Sequence, residues 1–169
     1  MDILLVDGYN MIGAWPELQK LKSIDFAGAR DLLVEKMAEY QAYMGWKVIV
    51  VFDAYSVSGG FRQSSHHLVD VVYTKENETA DERIEKMAIE LNDVRTQIHV
   101  ATSDAAEQWT IFGKGALRKS ARELLIELEN IEKSISARLR EENANQKRGK
   151  ISLSHDIAET FEKWRRGRQ

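Results

Sequence analysis

Short apolar runs alternate along this chain with longer segments in which apolar residues recur every three or four positions. The runs predict β-strands, and the periodic segments predict helices with one buried face. The predicted strands are residues 2–6, 47–52, 68–73, 97–102 and 116–119, and the predicted helices are residues 26–44, 79–92, 104–112, 120–143 and 154–166. Because strands and helices alternate, the expected fold is α/β, with a mostly parallel central sheet and helices on both of its faces.

Residues that commonly cap helices support several of these boundaries. Thr79 and Ser120 each precede a glutamate by three positions, which is the capping-box spacing. Asp25 stands where it can cap the helix at 26–44, and Gly45 stands where it can end that helix. The positions of these helices are therefore predicted from both their apolar spacing and their ends.

Two stretches are expected to lack regular structure. Residues 8–22 contain Gly8, Gly13 and the chain's one proline, Pro16, and predict a loop. Residues 145–150 are polar and basic, and predict a linker. We therefore expect one domain at 1–144, followed by a basic linker and a C-terminal helix at 145–169 that pack on the same domain.

Composition narrows the class of protein. The 169 residues are 43% hydrophobic and 30% charged, which suits one globular domain with a buried core. The lack of cysteine excludes disulfides, thiolate metal sites and cysteine nucleophiles. No apolar run approaches the roughly 20 residues of a membrane-spanning helix, and no basic-then-apolar signal segment is seen. We therefore expect a cytoplasmic protein with no membrane partner.

Charge is distributed unevenly along the chain, whose formal net charge is −3. Residues 138–169 hold nine basic and five acidic residues, a balance of +4, whereas residues 1–137 hold fifteen basic and twenty-two acidic residues, a balance of −7. An acidic body with a basic tail fits a cation-dependent site beside a phosphate-binding surface. It equally fits an acidic domain that ends in a solvated helix.

Three of the predicted strands are followed by aspartates, namely Asp7, Asp53 and Asp104, and Asp81 stands in the first turn of a predicted helix. The carboxyl ends of parallel strands meet at one edge of a sheet, where α/β proteins place their sites. Carboxylates gathered there favour Mg²⁺ or Mn²⁺, which prefer oxygen ligands and assist phosphodiester hydrolysis. Taken singly, each aspartate could instead cap a turn or a helix.

Several basic residues are candidate contacts for the phosphates of a nucleic acid. They are Arg83 on the helix of Asp81, the turn residues Lys114, Arg118 and Lys119, and the tail residues Lys147, Arg148 and Lys150. The alternative for each is an ion pair on a solvated face. Tyr9, Tyr55 and Phe61 are aromatic residues in predicted loops that could stack on unpaired bases, and Tyr55 and Phe61 are the better placed.

Five motifs together resemble the NYN branch of the PIN-like nucleases, and more narrowly its YacP-type bacterial members. The motifs are Asp7-Gly8-Tyr9-Asn10, Val51-Phe52-Asp53-Ala54, Thr79-Ala80-Asp81-Glu82-Arg83-Ile84, Thr102-Ser103-Asp104 and the run from Gly115 to Leu124. The resemblance covers about residues 1–165. It implies a PIN-like three-layer α/β/α sandwich with a C-terminal helical extension.

The resemblance also implies a function. It implies a ribosome-associated endoribonuclease that cleaves messenger RNA with Mg²⁺ or Mn²⁺, with no DNA substrate expected. Its metal residues correspond to Asp7, Asp81 and Asp104, with support from Asp53 and Asn10, so the expected catalytic set is Asp7, Asn10, Asp81 and Asp104. Many PIN domains carry one more acid on the helix after the first strand. In this chain Asp31, Glu35 and Glu39 are all candidates for it.

The main alternative is a non-catalytic RNA- or ribosome-binding module that keeps the fold. The acids argue against it, since a pure binder has no reason to crowd carboxylates against phosphates. Two further classes that place aspartate after a strand, phosphate-accepting signalling domains and aspartyl phosphatases, fit poorly because a single aspartate follows the first strand.

Overall fold

The computed structural model describes residues 1–54, 69–104 and 115–166. The strands are β1 Asp2–Asp7, β2 Lys47–Phe52, β3 Asp70–Tyr73, β4 Gln97–Ala101 and β5 Leu117–Lys119. The helices are α1 Gly8–Ala14, α2 Pro16–Ile24, α3 Phe26–Met44, α4 Ala80–Glu90 and α5 Ala121–Arg166. None of the described helices is both long and apolar enough to cross a membrane.

The five strands form one sheet in the order β3-β2-β1-β4-β5, and every neighbouring pair is parallel. Strand β1 is central, with Leu5 opposite both Ile49 and Val100. Leu4, Leu5 and Val6 are fully buried, which stabilises the fold by roughly 1.5–3 kcal/mol for each side chain. The strand positions and the α/β class predicted from the apolar runs are confirmed.

Helices cover both faces of the sheet. Residues of α4 pack with Ile3 and Leu5 on one face. Residues that alternate with these point to the other face, where α1 and α3 contact β2. The indole N–H of Trp15, between α1 and α2, donates a buried 2.8 Å hydrogen bond to the carbonyl of Ala121 at the start of α5. The predicted arrangement of helices on both sides of a parallel sheet is therefore present.

The helix ends follow the predicted chemistry. Thr79 accepts a hydrogen bond from the Glu82 amide at 3.2 Å, and Ser120 accepts one from the Glu123 amide at 3.1 Å. Asp25 accepts from the Gly28 amide at 3.0 Å. Gly45 ends α3 with a φ of 71°, a conformation that glycine adopts without strain.

The loop expected at residues 8–22 is wrong, because α1 and α2 occupy it. Pro16 stands at the first position of α2, where a proline costs no hydrogen bond. Met11, Ile12, Trp15 and Leu18 have helical spacing and are buried. Burial of this apolar face outweighs the turn preference of the glycines and the proline.

The linker expected at 145–150 is also wrong, because α5 is continuous from Ala121 to Arg166. Gln, Lys and Arg favour helices, and the single Gly149 costs only about 1 kcal/mol in a helix. The chain divides into two compact units, Met1–Leu128 and Glu129–Gln169. The domain boundary at 144 and the packing of the tail on the domain stay predictions. The helix expected at 104–112 falls almost entirely outside the described residues.

Candidate active site

The candidate site begins where β1 ends, at Asp7. The Asp7 side chain is only 7% exposed, and it caps α1 by accepting a 3.4 Å hydrogen bond from the Asn10 amide. The next residue, Gly8, lets the Phe52 ring pack closely against this turn: a Cβ atom at position 8 would lie 2.3 Å from Cε1 of Phe52. The passage from β1 to α1 therefore holds one carboxyl group in a fixed, largely dry position.

Asn10 joins this turn to the end of β4. Its side-chain oxygen accepts a 2.7 Å hydrogen bond from the Ser103 amide and a second from the Ser103 hydroxyl. The next amide, that of Asp104, donates to the hydroxyl of buried Thr102 at 3.1 Å. These bonds hold the segment that carries Asp104 beside the segment that carries Asp7.

Asp81 reaches the same edge from α4. It stands in the first turn of that helix, which Thr79 caps, and it is exposed. The Asp81 carboxyl group acts on Asp7 through its charge and through side-chain hydrogen bonding, and both effects raise the pKa of Asp7. This interaction favours the protonated form of Asp7.

The electrostatics of Asp7 reflect this crowding. Burial, followed by the charge and hydrogen bond of Asp81 and the charge of Asp104, raises the pKa of Asp7 from 3.8 to about 7, while the Asn10 amide opposes the rise. Three of the four predicted acids therefore interact, although they are far apart in the chain. Asp53 is half-buried just beyond β2, the strand next to β1.

The acidic side chains of the described residues fit a metal ion only in part. Among residues 1–54, 69–104 and 115–166, no three acidic or histidine side chains are grouped closely enough to hold an ion together. The interaction between Asp7 and Asp81 does suit Mg²⁺, which commonly takes one or two carboxylates and keeps several waters. Of the candidates for a further acid on α3, Asp31 is exposed and acts electrostatically on Tyr73.

The predicted RNA contacts fall into different environments. Arg83 Nη1 lies 3.9 Å from Glu78 Oε1, and Lys86 bonds the same carboxylate at 2.9 Å. The Lys86 bond holds the pKa of Glu78 below its usual value. Lys119 pairs with Glu127 and lies 5.5 Å from the Trp46 ring, with its side chain 12% exposed, so it is engaged within the fold.

The other predicted RNA contacts include both exposed and undescribed residues. Arg118 in β5 is exposed, as are Lys147 and Arg148 on α5. Lys114, Tyr55, Phe61 and the side chain of Lys150 lie outside the described part of the chain. Their predicted roles stay predictions.

One group of residues at this edge was not anticipated as a unit. Tyr9 stacks on Phe26, with centroids 5.3 Å apart at 23°, and contacts Phe52 at 5.1 Å. Arg30 donates a 3.4 Å hydrogen bond to the Tyr9 hydroxyl. Sequence reasoning identified Tyr9 alone, because Phe26 fits the apolar spacing of α3 and Arg30 belongs to no motif.

Comparison with known proteins gives consistent matches. The family model described as the YacP-like NYN domain matches residues 4–166. The protein YacP of Bacillus subtilis (strain 168) is 64% identical over 167 residues, which cover 99% of this chain and 98% of that protein.

Two solved structures from Bacillus subtilis also match. The crystal structure of Rae1 (YacP) has a TM-score of 0.78 at 63% identity and covers 99% of this chain and 96% of that chain. The structure of its W164L mutant has a TM-score of 0.76 at 63% identity, with 85% of each chain covered.

Proposed function

Because the chain belongs to the YacP-like NYN domain family, we propose that it is a metal-dependent endoribonuclease. Family membership supports a nuclease-type function related to RNA. Our finer proposal is hydrolysis of phosphodiester bonds in messenger RNA on the ribosome, in the cytoplasm, with Mg²⁺ or Mn²⁺ and no role for DNA.

The observation that carries this proposal is a buried carboxyl group, Asp7, at the carboxyl edge of the sheet, on which the Asp81 carboxyl group acts. Asp7 is buried, yet the carboxyl group of Asp81 and the charge of Asp104 both act on it and raise its pKa. Such crowding is unfavourable for the fold alone, since like charges repel. A divalent cation would relieve it, and this gives the cluster a functional explanation.

The residues of the site would have separate roles in binding the ion and in positioning its ligands. A bound divalent ion supplies a Lewis acid for the phosphate and lowers the pKa of an attached water. Asp7 and Asp81 would hold the ion, with Asp104 and Asp53 as further oxygen donors. Asn10 would act as a positioning residue, because its bonds to Ser103 hold the Asp104 segment in place.

The ribosomal part of the proposal is supported by charge. Residues 138–169 carry a balance of +4, and Lys147 and Arg148 are exposed on α5. Positive charge on a helix favours the phosphate backbone of RNA without regard to sequence. Removal of residues 147–169 should therefore weaken binding to ribosomes more than it weakens cleavage of naked RNA.

The test is cleavage of translating ribosomes and of naked single-stranded RNA by the purified chain, with Mg²⁺, with Mn²⁺ and with excess chelator. Asp7→Asn and Asp81→Asn should each reduce the cleavage rate by at least about a hundredfold. Asp93→Asn is the matched control, because Asp93 is exposed just before β4, at the opposite edge of the sheet. Full cleavage in chelator, or by the Asp7→Asn, Asp81→Asn double variant, would contradict the proposal.

One observation favours the second candidate, a non-catalytic RNA- or ribosome-binding module. Within the described residues, no three acids are grouped tightly enough to hold an ion. This candidate predicts RNA or ribosome binding that is unchanged by chelator and no cleavage under any metal. The same assay therefore decides between the two functions.

A further inference from the structure

A patch of aromatic and basic side chains lies around Tyr9, in the first turn of the helix that Asp7 caps. We call it the Phe26 patch and define it as Lys22, Phe26 and Arg30 with Tyr9 beneath them. Tyr9 follows Asp7 by two residues, and its ring lies between Phe26 at 5.3 Å and Phe52 at 5.1 Å. The patch is therefore anchored to the turn that places Asp7.

Positive charge surrounds the central ring. The Arg30 Cζ atom lies 5.4 Å from the Phe26 centroid, and the Lys22 Nζ atom lies 5.9 Å from it. Arg30 also donates to the Tyr9 hydroxyl at 3.4 Å. Since a guanidinium has five N–H donors in a planar fork, the bond to Tyr9 leaves capacity for phosphate oxygens.

The patch has a buried base and an accessible top. Phe52 is fully buried, and it stacks on Tyr73 at 5.8 Å, so the rings below are fixed by the core. Burial raises the pKa of Tyr73, and the charge of the Arg30 guanidinium opposes that rise. Phe26 and Arg30 are half-buried and Lys22 is exposed. A ligand could therefore reach the upper side chains without unfolding the core.

The chemistry of the patch matches one nucleotide of single-stranded RNA. Unpaired bases stack on aromatic rings and on guanidinium planes, and backbone phosphates bind paired cations. A membrane or protein partner would not need two cations around one ring beside an acid cluster. A duplex fits poorly, because its bases are not free to stack on a side chain.

We propose that the Phe26 patch is a nucleotide subsite next to the scissile phosphate. Lys22 and Arg30 hold a backbone phosphate, and Phe26 receives the adjoining base. The subsite rests on the proposed function, since RNA is its ligand. It adds a determinant of substrate binding that lies outside the acid cluster and the basic tail.

The test measures binding without cleavage. Fluorescence anisotropy of a short labelled single-stranded RNA is recorded with the full chain in EDTA. Arg30→Ala should raise the Kd about tenfold, as expected for one charged hydrogen-bonded contact. It should also reduce the slope of log affinity against log salt by about 0.7, the value for one phosphate on a single strand. Arg95→Ala, which removes the same charge before β4 at the opposite edge of the sheet, should leave both quantities unchanged.

The aromatic contact is tested at Phe26. Phe26→Leu keeps an apolar side chain but loses the ring, and should raise the Kd at least about fivefold. Phe26→Trp keeps a ring and should retain the parent affinity, which separates stacking from damage to the fold. Thermal unfolding of every variant is measured alongside.

The possible outcomes distinguish failure of the subsite proposal from failure of the nuclease proposal. If Arg30→Ala and Arg95→Ala bind RNA equally, or if the parent chain shows no RNA binding in EDTA, the subsite is refuted even where metal-dependent cleavage is seen. If the Arg30 and Phe26 effects appear but no metal supports cleavage, the subsite stands and the nuclease proposal falls.

Discussion

Replacing Asp7 with asparagine should stabilise the metal-free protein at neutral pH. The carboxyl group is 7% exposed and lies beside Asp81 and Asp104, so its charge is held in an unfavourable place. Asparagine has nearly the same shape and can still accept the hydrogen bond from the Asn10 amide, but it carries no charge. The substitution therefore removes the electrostatic cost and keeps the cap of α1.

The size and the sign of the stabilisation expected for Asp7→Asn follow from proton linkage. The pKa of Asp7 rises from 3.8 to about 7 on folding, so the folded protein binds a proton more tightly than the unfolded chain. The free energy of unfolding therefore falls as the pH rises from about 4 to about 7 and is level above that. One pKa unit is worth about 1.4 kcal/mol, so the loss amounts to about 4 kcal/mol. For a chain of this length that corresponds to roughly 10 °C in the melting temperature.

The assay is urea unfolding of the parent chain, Asp7→Asn and the Asp93→Asn control, in EDTA, from about pH 4 to about pH 8. The difference between Asp7→Asn and the parent should grow by several kcal/mol across that range, and the difference for the control should stay constant. Mg²⁺ should then stabilise the parent more than Asp7→Asn. A parent-to-Asp7→Asn difference that does not change with pH would refute the account of Asp7 as a strained, buried carboxylate.

Three further predictions concern the supports of the site. Gly8→Ala should lower the free energy of unfolding by about 3 kcal/mol, because the new Cβ atom would meet the Phe52 ring at 2.3 Å, and an unchanged thermal midpoint would contradict this. Tyr40→Phe should cost roughly 1–2 kcal/mol in urea unfolding, since it removes a 2.7 Å hydrogen bond to Glu127. Asn10→Ala should slow RNA cleavage by at least about tenfold while RNA binding in EDTA is retained, because the Asp104 segment loses its attachment. Equal loss of binding and cleavage would assign Asn10 a different role.

Local patterns were sufficient for the strands and for most helix boundaries. A strand buried on both faces needs a continuous apolar run, so β1 and β2 are visible in the sequence itself. The capping residues Thr79 and Ser120 act within three positions of themselves, and both bonds are present. Because β1 and β4 are parallel neighbours, the placement of Asp7 and Asp104 at the same edge of the sheet also followed from topology.

Other features depend on contacts that no local pattern reveals. The bonds between Asn10 and Ser103 span 93 residues. From the sequence alone, a functional role for Asn10 could not be distinguished from a role in stabilising its own turn. Met11, Ile12, Trp15 and Leu18 have helical spacing, but Gly13 and Pro16 among them are residues typical of a loop. Phe26 was visible only as an apolar position of α3, and Arg30 gave no signal, since their relation to Tyr9 arises only when α3 packs against the turn after β1.

The placement of Asp7 at the end of β1 has an energetic reason. A cost of about 4 kcal/mol is a large part of the 5–15 kcal/mol that stabilises a typical protein, so the strand that carries Asp7 must be held firmly elsewhere. At its other end Asp2 contacts His99 at 3.0 Å, and His99 stacks on Trp46 at 4.2 Å. Between these ends β1 is fully buried and paired on both sides. A looser strand could release its final carboxyl group to solvent, whereas the burial and two-sided pairing of β1 hold Asp7 in its buried position.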